Sequence, residues 1–183
     1  IAEKFASAFG KDEKFIDEFN SVSAGMEGYL FPDTYLFPKE ASASAVVKKM
    51  RSTFDIKTAE LKEGIEASEL SLNEIVTLAS IIERETRTNS ERAVVAGILI
   101  NRLNAGIGLQ ADATVQYAVA NDKCLPAQAG QMVNVKCDWW AQITRDDLTI
   151  NSPYNTYKYR GLPPGAIANP GLSSLKAAAI PEE

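Results

Sequence analysis

The segment 71–86 constrains the fold of this chain more than any other stretch of its sequence. Ser71 is a suitable helix N-cap and Glu74 follows three residues later, which is the spacing of a capping box. The residues that follow are mostly apolar and recur at helical intervals. The pattern therefore predicts a helix over about 72–86 that packs into the core of the protein.

One acidic residue of this helix falls among its apolar positions. With an advance of about 100° per residue, Glu85 lies roughly 20° from Leu78, whereas Glu83 lies roughly 140° from it. We therefore expect Glu85 at the edge of the buried face and Glu83 in water. Partial loss of hydration favours the neutral carboxyl, which is the form that a general acid requires. The alternative is that Glu85 turns outward or pairs with Arg92 or Arg102.

The side-chain inventory excludes several kinds of site. The chain has no His, so nucleophile systems that need an imidazole and His-based metal sites are excluded, and we predict no metal. Acid and base chemistry falls to carboxylates, Lys or Tyr. The net charge is −5 and no basic stretch offers a track for phosphates, so we expect no nucleic-acid partner.

The ends of the sequence and its apolar runs bear on where the protein works. No apolar run approaches the ~20 residues that span a bilayer. The sequence opens at Ile1 without an initiator Met or a signal peptide. We therefore expect this chain to be part of a longer protein.

The two cysteines of the chain, Cys124 and Cys137, enclose a short loop that contains Pro126, Gly130 and polar residues. A disulfide between them would close this loop and would suit an oxidising compartment. The alternative is two unrelated buried thiols. A zinc site is poorly supported because two thiols without His leave the coordination incomplete.

Six segments, in their order along the chain, resemble those of the YceG-like (MltG) endolytic murein transglycosylases. They are 27–35 (EGYLFPDTY), 79–86 (ASIIERET), 100–103 (INRL), 109–112 (LQAD), 152–157 (SPYNTY) and 161–171 (GLPPGAIANPG). Each segment alone is short enough to occur by chance. Six of them in one order are specific to the family.

The resemblance implies a catalytic residue and a reaction. The family's acid is the second Glu of its Glu-x-Glu-Thr segment, which is Glu85 here. The implied substrate is the glycan strand of peptidoglycan, cut between N-acetylmuramic acid and N-acetylglucosamine to leave a 1,6-anhydro-muramoyl end, and no cofactor is implied. A single Glu would act first as the acid and then as the base. The alternatives are a muramidase on the same substrate and a peptidoglycan-binding fragment without turnover.

Five further residues in the matching segments are expected to bind the substrate. Gln110 is placed to reach a sugar hydroxyl, and Asp112 serves either the substrate or the N-cap of the next helix. Tyr154 and Tyr157 offer rings that stack on pyranoses, and Asn155 offers an amide for an acetamido group. The alternative for these last three residues is a packed turn.

The expected architecture follows from the same resemblance. We predict an α+β protein with a mainly helical, lysozyme-like catalytic core and a small β component. Residues 1–26 are expected to be a remnant of a LysM-like subdomain, and residues 27–183 a catalytic domain truncated at its C-terminus. The resemblance places the full-length protein at the periplasmic or extracytoplasmic face of the bacterial inner membrane. It would be anchored there by an N-terminal helix absent from this chain, with cell-wall synthases as further partners.

Overall fold

The computed structural model describes residues 13–124 and 138–181. Within these ranges the regular structure is helical. The α-helices are α1 (Glu13–Val22), α2 (Ala43–Ala59), α3 (Lys62–Ala67), α4 (Leu72–Glu85), α5 (Asn89–Asn104), α6 (Asp112–Cys124) and α7 (Leu172–Ala179), and a short 3-10 helix spans Asp147–Thr149. None of the helices in the described ranges has the length and apolar character needed to cross a membrane.

Helix α4 is the centre of the main core. All residues from 75 to 82 are buried, and α5, α6 and α7 pack around them. A helix that is surrounded in this way has no face turned to water. Its predicted start is confirmed, because the Ser71 side chain accepts a hydrogen bond from the N–H of Glu74 and the Glu74 carboxylate accepts one from the N–H of Ser71.

Loss of this cap has a measurable cost. Replacement of Ser71 by Ala is expected to lower the free energy of unfolding by about 1 kcal/mol, because the third amide of the helix loses its acceptor. Denaturant unfolding measures the difference. Ser173→Ala, at an exposed position inside α7, is the matched control and is expected to change little. Equal losses in the two variants would contradict a capping role for Ser71.

The loss of stability in Ser71→Ala is expected to depend on pH, because the cap includes the Glu74 carboxylate. Hydrogen bonds from the side chain and backbone of Ser71 hold the pKa of Glu74 below its ordinary value. The stabilisation from a carboxyl of this kind is present above its pKa in the unfolded chain and is lost as the pH falls through its pKa in the folded protein. The difference in stability between the wild type and Ser71→Ala is therefore expected to narrow in acid.

A second, smaller core joins α1 to α2. It is formed by Phe15 and Phe19 of α1 with Val46, Val47 and Met50 of α2. This packing connects residues on the two sides of the predicted boundary between 26 and 27. The division into a LysM-like remnant and a catalytic domain stays a prediction.

The predicted β component is wrong for the described part of the chain, which contains no strand, whereas the mainly helical character is as expected. Segment 28–38 has neither helix nor strand, and its N–H groups bind partners other than a strand. Those of Gly28 and Leu30 donate to the side chain of Asn169, and that of Phe31 donates to a carbonyl of α2. The two prolines of the segment have no N–H to donate. A ladder of backbone hydrogen bonds therefore does not form here.

Candidate active site

Glu85 lies where α4 leaves the core. Ile82 is buried, whereas Arg84 and Glu85 are exposed. Oε1 of Glu85 accepts a hydrogen bond of 3.1 Å from the N–H of Ala113, in the first turn of α6. The first N–H groups of a helix have no partner within that helix and favour an anion. The Glu85 carboxylate is thus open to solvent and oriented by the N-terminus of α6.

The expected burial of the two acids of this helix is reversed. The Glu83 side chain is only 29% exposed and accepts hydrogen bonds from the N–H of Gly171 and the hydroxyl of Ser174. Arg92 pairs with it at 3.3 Å, and not with Glu85. The prediction failed because α4 is covered on every side, so that closeness to the end of the helix, and not its face, decides which acid meets water.

Asp112 and Tyr157 form a hydrogen-bonded pair beside Glu85. The hydroxyl of Tyr157 donates to Oδ1 of Asp112 at 2.5 Å. This bond, then partial burial, then the negative charges of Asp112 and Glu85 raise the pKa of Tyr157 to about 12. Tyr157 therefore stays neutral, and its side chain is 37% exposed. Asp112 is the first residue of α6. The N–H of Ala113, in the first turn of that helix, donates to Glu85.

Gln110 lies on the surface of the loop that leads into α6. Its backbone has a φ of 54°, in the left-handed region, and its N–H donates to the carbonyl of Thr156. Its side-chain oxygen accepts a hydrogen bond of 2.6 Å from Arg102. The positive charge of Arg102 acts on Tyr157, where it opposes the rise in pKa. Arg102, weighed in the sequence only as a partner of Glu85, thus links Gln110 to this site.

Asn155 does not have the expected surface position. It is 0% exposed. Its amide nitrogen donates to the carbonyls of Leu148 and Ile150, and its amide oxygen accepts from the N–H of Tyr157. A buried and bonded amide has no group left for an acetamido substituent of a substrate. This geometry favours the packed-turn alternative for Asn155, which supports the neighbouring Tyr157, and its contact with substrate stays an untested prediction.

Tyr154 belongs to a row of aromatic side chains that the sequence analysis missed. Its ring centroid lies 4.8 Å from that of Tyr117, which in turn lies 6.0 Å from that of Trp139. We call Trp139, Tyr117 and Tyr154 the aromatic row. Tyr117 is four residues after Ala113 on α6, and this spacing puts the two on one face of the helix. This spacing of four residues between Ala113 and Tyr117 was the feature of the sequence that could have placed Tyr117 near the site.

The chain on either side of the undescribed segment 125–137 packs near the site. Cys124 ends α6 and is buried, whereas Cys137 lies outside the described residues, so the disulfide stays a prediction. After the segment, Trp140 carries the guanidinium of Arg84 over its ring, 3.6 Å from the centroid. The side chain of Gln116 donates to the carbonyl of Trp140. Trp140 therefore anchors this part of the chain against α4 and α6.

The Glu85 carboxylate lies on an open surface, and two cavities of the described residues lie elsewhere. Each cavity has a volume of about 540 Å³. Residues of α5 and Pro181, which follows α7, line both cavities, and residues of α3 also line the first of them. Neither is lined by Glu85. An exposed acid can reach a bond in the middle of a long polymer strand, whereas a closed pocket would admit only the end of a strand.

The sequence and the fold both match known proteins. The model of the YceG-like family matches residues 1–183. A protein of Bacillus subtilis (strain 168) named endolytic murein transglycosylase is 35% identical over 169 residues, which are 91% of this chain and 42% of that protein. A protein of the same name from Streptococcus pneumoniae is 31% identical over 152 residues, which are 83% of this chain and 25% of that protein.

A crystal structure of a YceG-like protein from Listeria monocytogenes has a similar fold. Its TM-score is 0.71 at 32% sequence identity, and the match covers 100% of this chain and 55% of that one. The chain thus spans less than half the length of the two curated relatives and little more than half of the Listeria protein.

Proposed function

Because the chain belongs to the YceG-like family, we propose that it cleaves glycan strands of peptidoglycan as an endolytic transglycosylase, with Glu85 as its acid and base. One observation carries the proposal. The second Glu of the family segment is an exposed carboxylate, bonded to the N-terminus of α6 and next to the pair formed by Asp112 and Tyr157. The names of the Bacillus and Streptococcus relatives agree with this activity.

The reaction needs a single carboxyl group. Glu85 gives its proton to the glycosidic oxygen, the bond from that oxygen to the anomeric carbon breaks, and positive charge develops on the muramoyl ring. The primary hydroxyl of the same sugar then bonds to the anomeric carbon and gives its proton to Glu85. No water is consumed, and the carboxyl returns to its starting state.

The neighbours of Glu85 have separate roles in this scheme. The N–H of Ala113 orients Oε1, and we assign the proton transfer to Oε2. The carboxylate of Asp112 stabilises the positive charge that develops on the sugar. The bound strand covers the exposed carboxyl of Glu85 and excludes bulk water from the reacting atoms.

The substrate contacts are proposed for the residues that the site leaves at its surface. Tyr157 is 37% exposed and neutral, so its ring can lie along a pyranose. Gln110 is exposed and its amide nitrogen can donate to a sugar hydroxyl. Tyr154 is half-buried and contributes through its ring. Asn155 is left out of this set because it is buried.

The products of digestion test the proposed reaction. Purified glycan strands are incubated with the protein, and the new ends are identified by mass spectrometry. Anhydro-muramoyl ends are expected. Reducing ends formed by addition of water would contradict the proposal and favour a muramidase. Binding of the strands without any new ends would also contradict it and favour a peptidoglycan-binding protein without turnover. The Glu85→Gln protein, which is expected to form neither product, is the control.

The proposed substrate also bears on location and partners. Peptidoglycan lies outside the cytoplasmic membrane, so the protein is proposed to act there. Anchoring at the inner membrane by an N-terminal helix of the full-length protein, and cooperation with cell-wall synthases, are finer proposals that rest on the family resemblance.

A further inference from the structure

Glu27 holds a carboxylate at the surface in a fixed position. Its Oε1 accepts a hydrogen bond of 3.1 Å from the side chain of Asn169, whose oxygen accepts the N–H groups of Gly28 and Leu30. Gly28 has a φ of +92°, and a Cβ at this position would lie 2.6 Å from neighbouring side-chain atoms. Only glycine fits this backbone without strain. The backbone next to Glu27 is therefore held by hydrogen bonds and close packing, although the Glu27 side chain itself is exposed.

The charge of Glu27 acts on two tyrosines of the aromatic row. Burial and, next, the charge of Glu27 raise the pKa of Tyr117 to about 12 and raise that of Tyr154. Both hydroxyls therefore stay neutral at physiological pH. Loss of hydration among its neighbours also raises the pKa of Glu27, although the side chain keeps contact with solvent.

The Glu27 carboxylate has a hydrogen-bond donor in Asn169 but pairs with no basic side chain of the described residues. A carboxylate that loses hydration beside neutral phenols is unfavourable for the folded state. Acids in such positions are concentrated at functional sites.

The aromatic row continues the surface on which Glu85 lies. Ala113, which binds Glu85, and Tyr117 are one helical turn apart on α6, roughly 6 Å along its axis. Tyr154 precedes Tyr157, the partner of Asp112, by three residues in the same loop. The row thus lies on the side of the Glu85 surface that follows α6 toward its C-terminus. Glu27 is near the row, because a Cβ on the next residue, Gly28, would meet Ala166, and one on Gly165 would lie 3.5 Å from the Tyr154 hydroxyl.

We propose that Glu27, Tyr117 and Tyr154 form a subsite for one N-acetylhexosamine unit of the glycan strand, next to the bond that Glu85 cleaves. The rings pack against the C–H face of the sugar. The carboxylate of Glu27 accepts a hydrogen bond from a hydroxyl or from the acetamido N–H of that unit. Glu27 binds and positions the strand and takes no part in proton transfer. This inference rests on the proposed function.

Binding of an N-acetylglucosamine oligomer (a chito-oligosaccharide) tests the subsite. The affinity is measured by calorimetry in the Glu85→Gln protein, so that no turnover occurs, with and without Glu27→Ala. The added substitution is expected to raise the Kd about tenfold, which is the loss of ~1.4 kcal/mol that one hydrogen bond to a charged group can supply. Glu66→Ala, at an exposed Glu of α3 that pairs with Lys62, is the matched control and should leave the Kd unchanged.

A second variant separates binding from folding. Glu27→Gln keeps an oxygen for Asn169 and removes the charge. This single variant, in which Glu85 is unchanged, is assayed with glycan strands as the substrate. Glu27→Gln is expected to raise KM several-fold and to leave kcat nearly unchanged. This split, with an unchanged Tm, supports a binding role whether or not Glu27→Ala folds.

Three outcomes would overturn the subsite. They are an unchanged Kd in a folded Glu27→Ala protein, an unchanged KM in Glu27→Gln, and failure of the oligomer to bind the Glu85→Gln protein at all. The binding assay involves no cleavage. A failure of the proposed reaction would therefore appear in the mass spectrometry of the digested glycan strands, and a failure of the subsite in the Kd of the oligomer.

Discussion

Replacement of Glu85 by Gln is expected to lower the rate of glycan cleavage by about 10²–10⁴-fold, the range that a positioned general acid contributes. The amide can neither give a proton to the glycosidic oxygen nor accept one from the sugar hydroxyl. Its oxygen can still accept the N–H of Ala113, so the fold should be kept. The measurement is the rate of formation of anhydro-muramoyl ends, accompanied by a thermal melt.

Glu83→Gln provides the comparison for this result. Glu83 lies two residues away on the same helix, and its carboxylate is directed toward Gly171 and Ser174. The folded Glu83→Gln protein is expected to retain much of its activity. A loss of activity as large as that of Glu85→Gln would contradict the separate roles proposed for the two acids.

Replacement of Glu83 by Ala is expected to lower the free energy of unfolding by about 2–3 kcal/mol, since hydrogen bonds to a charged group are among the stronger ones. The Glu83 carboxylate connects α4 to the N-terminus of α7 through Gly171 and Ser174, and to α5 through Arg92. Its removal leaves these donors without their acceptor in a place where the Arg92 side chain is only 14% exposed. Denaturant unfolding of the purified protein measures the loss.

Glu66→Ala again serves as the control for this measurement. Its pair with Lys62 is exposed on both sides, and exposed pairs contribute ~0–1 kcal/mol. A loss in Glu83→Ala no larger than in Glu66→Ala would show that the contacts among α4, α5 and α7 do not stabilise the fold. The Glu83→Gln protein, which retains one oxygen acceptor, is expected to fall between the wild type and Glu83→Ala.

The helix that carries the acid was predictable from the sequence because its signals are local. Ser71 and Glu74 are three residues apart, and the hydrogen bonds of their capping box depend on few other parts of the chain. Glu85 was identified by its place in the family segment 79–86. The fold class was predicted less well, because the described residues form no strand. Segment 28–38 donates its N–H groups to the Asn169 side chain and to a carbonyl of α2, and not to a neighbouring strand.

The periodicity of α4 could not predict which acid is buried. A periodic pattern assumes one face against the protein and one against water, and α4 is enclosed by three helices. Asn155 shows the same limit in a loop. Its residue type suits a sugar contact, yet the loop places its amide among backbone carbonyls of its own turn.

The sequence by itself determined where the helix of Glu85 begins and the absence of any His chemistry, and the family resemblance within it pointed to Glu85 as the proposed acid. These follow from neighbouring residues and from residue types. Only the tertiary structure decided that Glu85 is exposed, that it meets the N–H of Ala113, and that Glu27 lies beside Tyr117 and Tyr154. These depend on contacts between segments distant in the chain, because burial and hydrogen-bond partners at the ends of helices are set by how the helices pack.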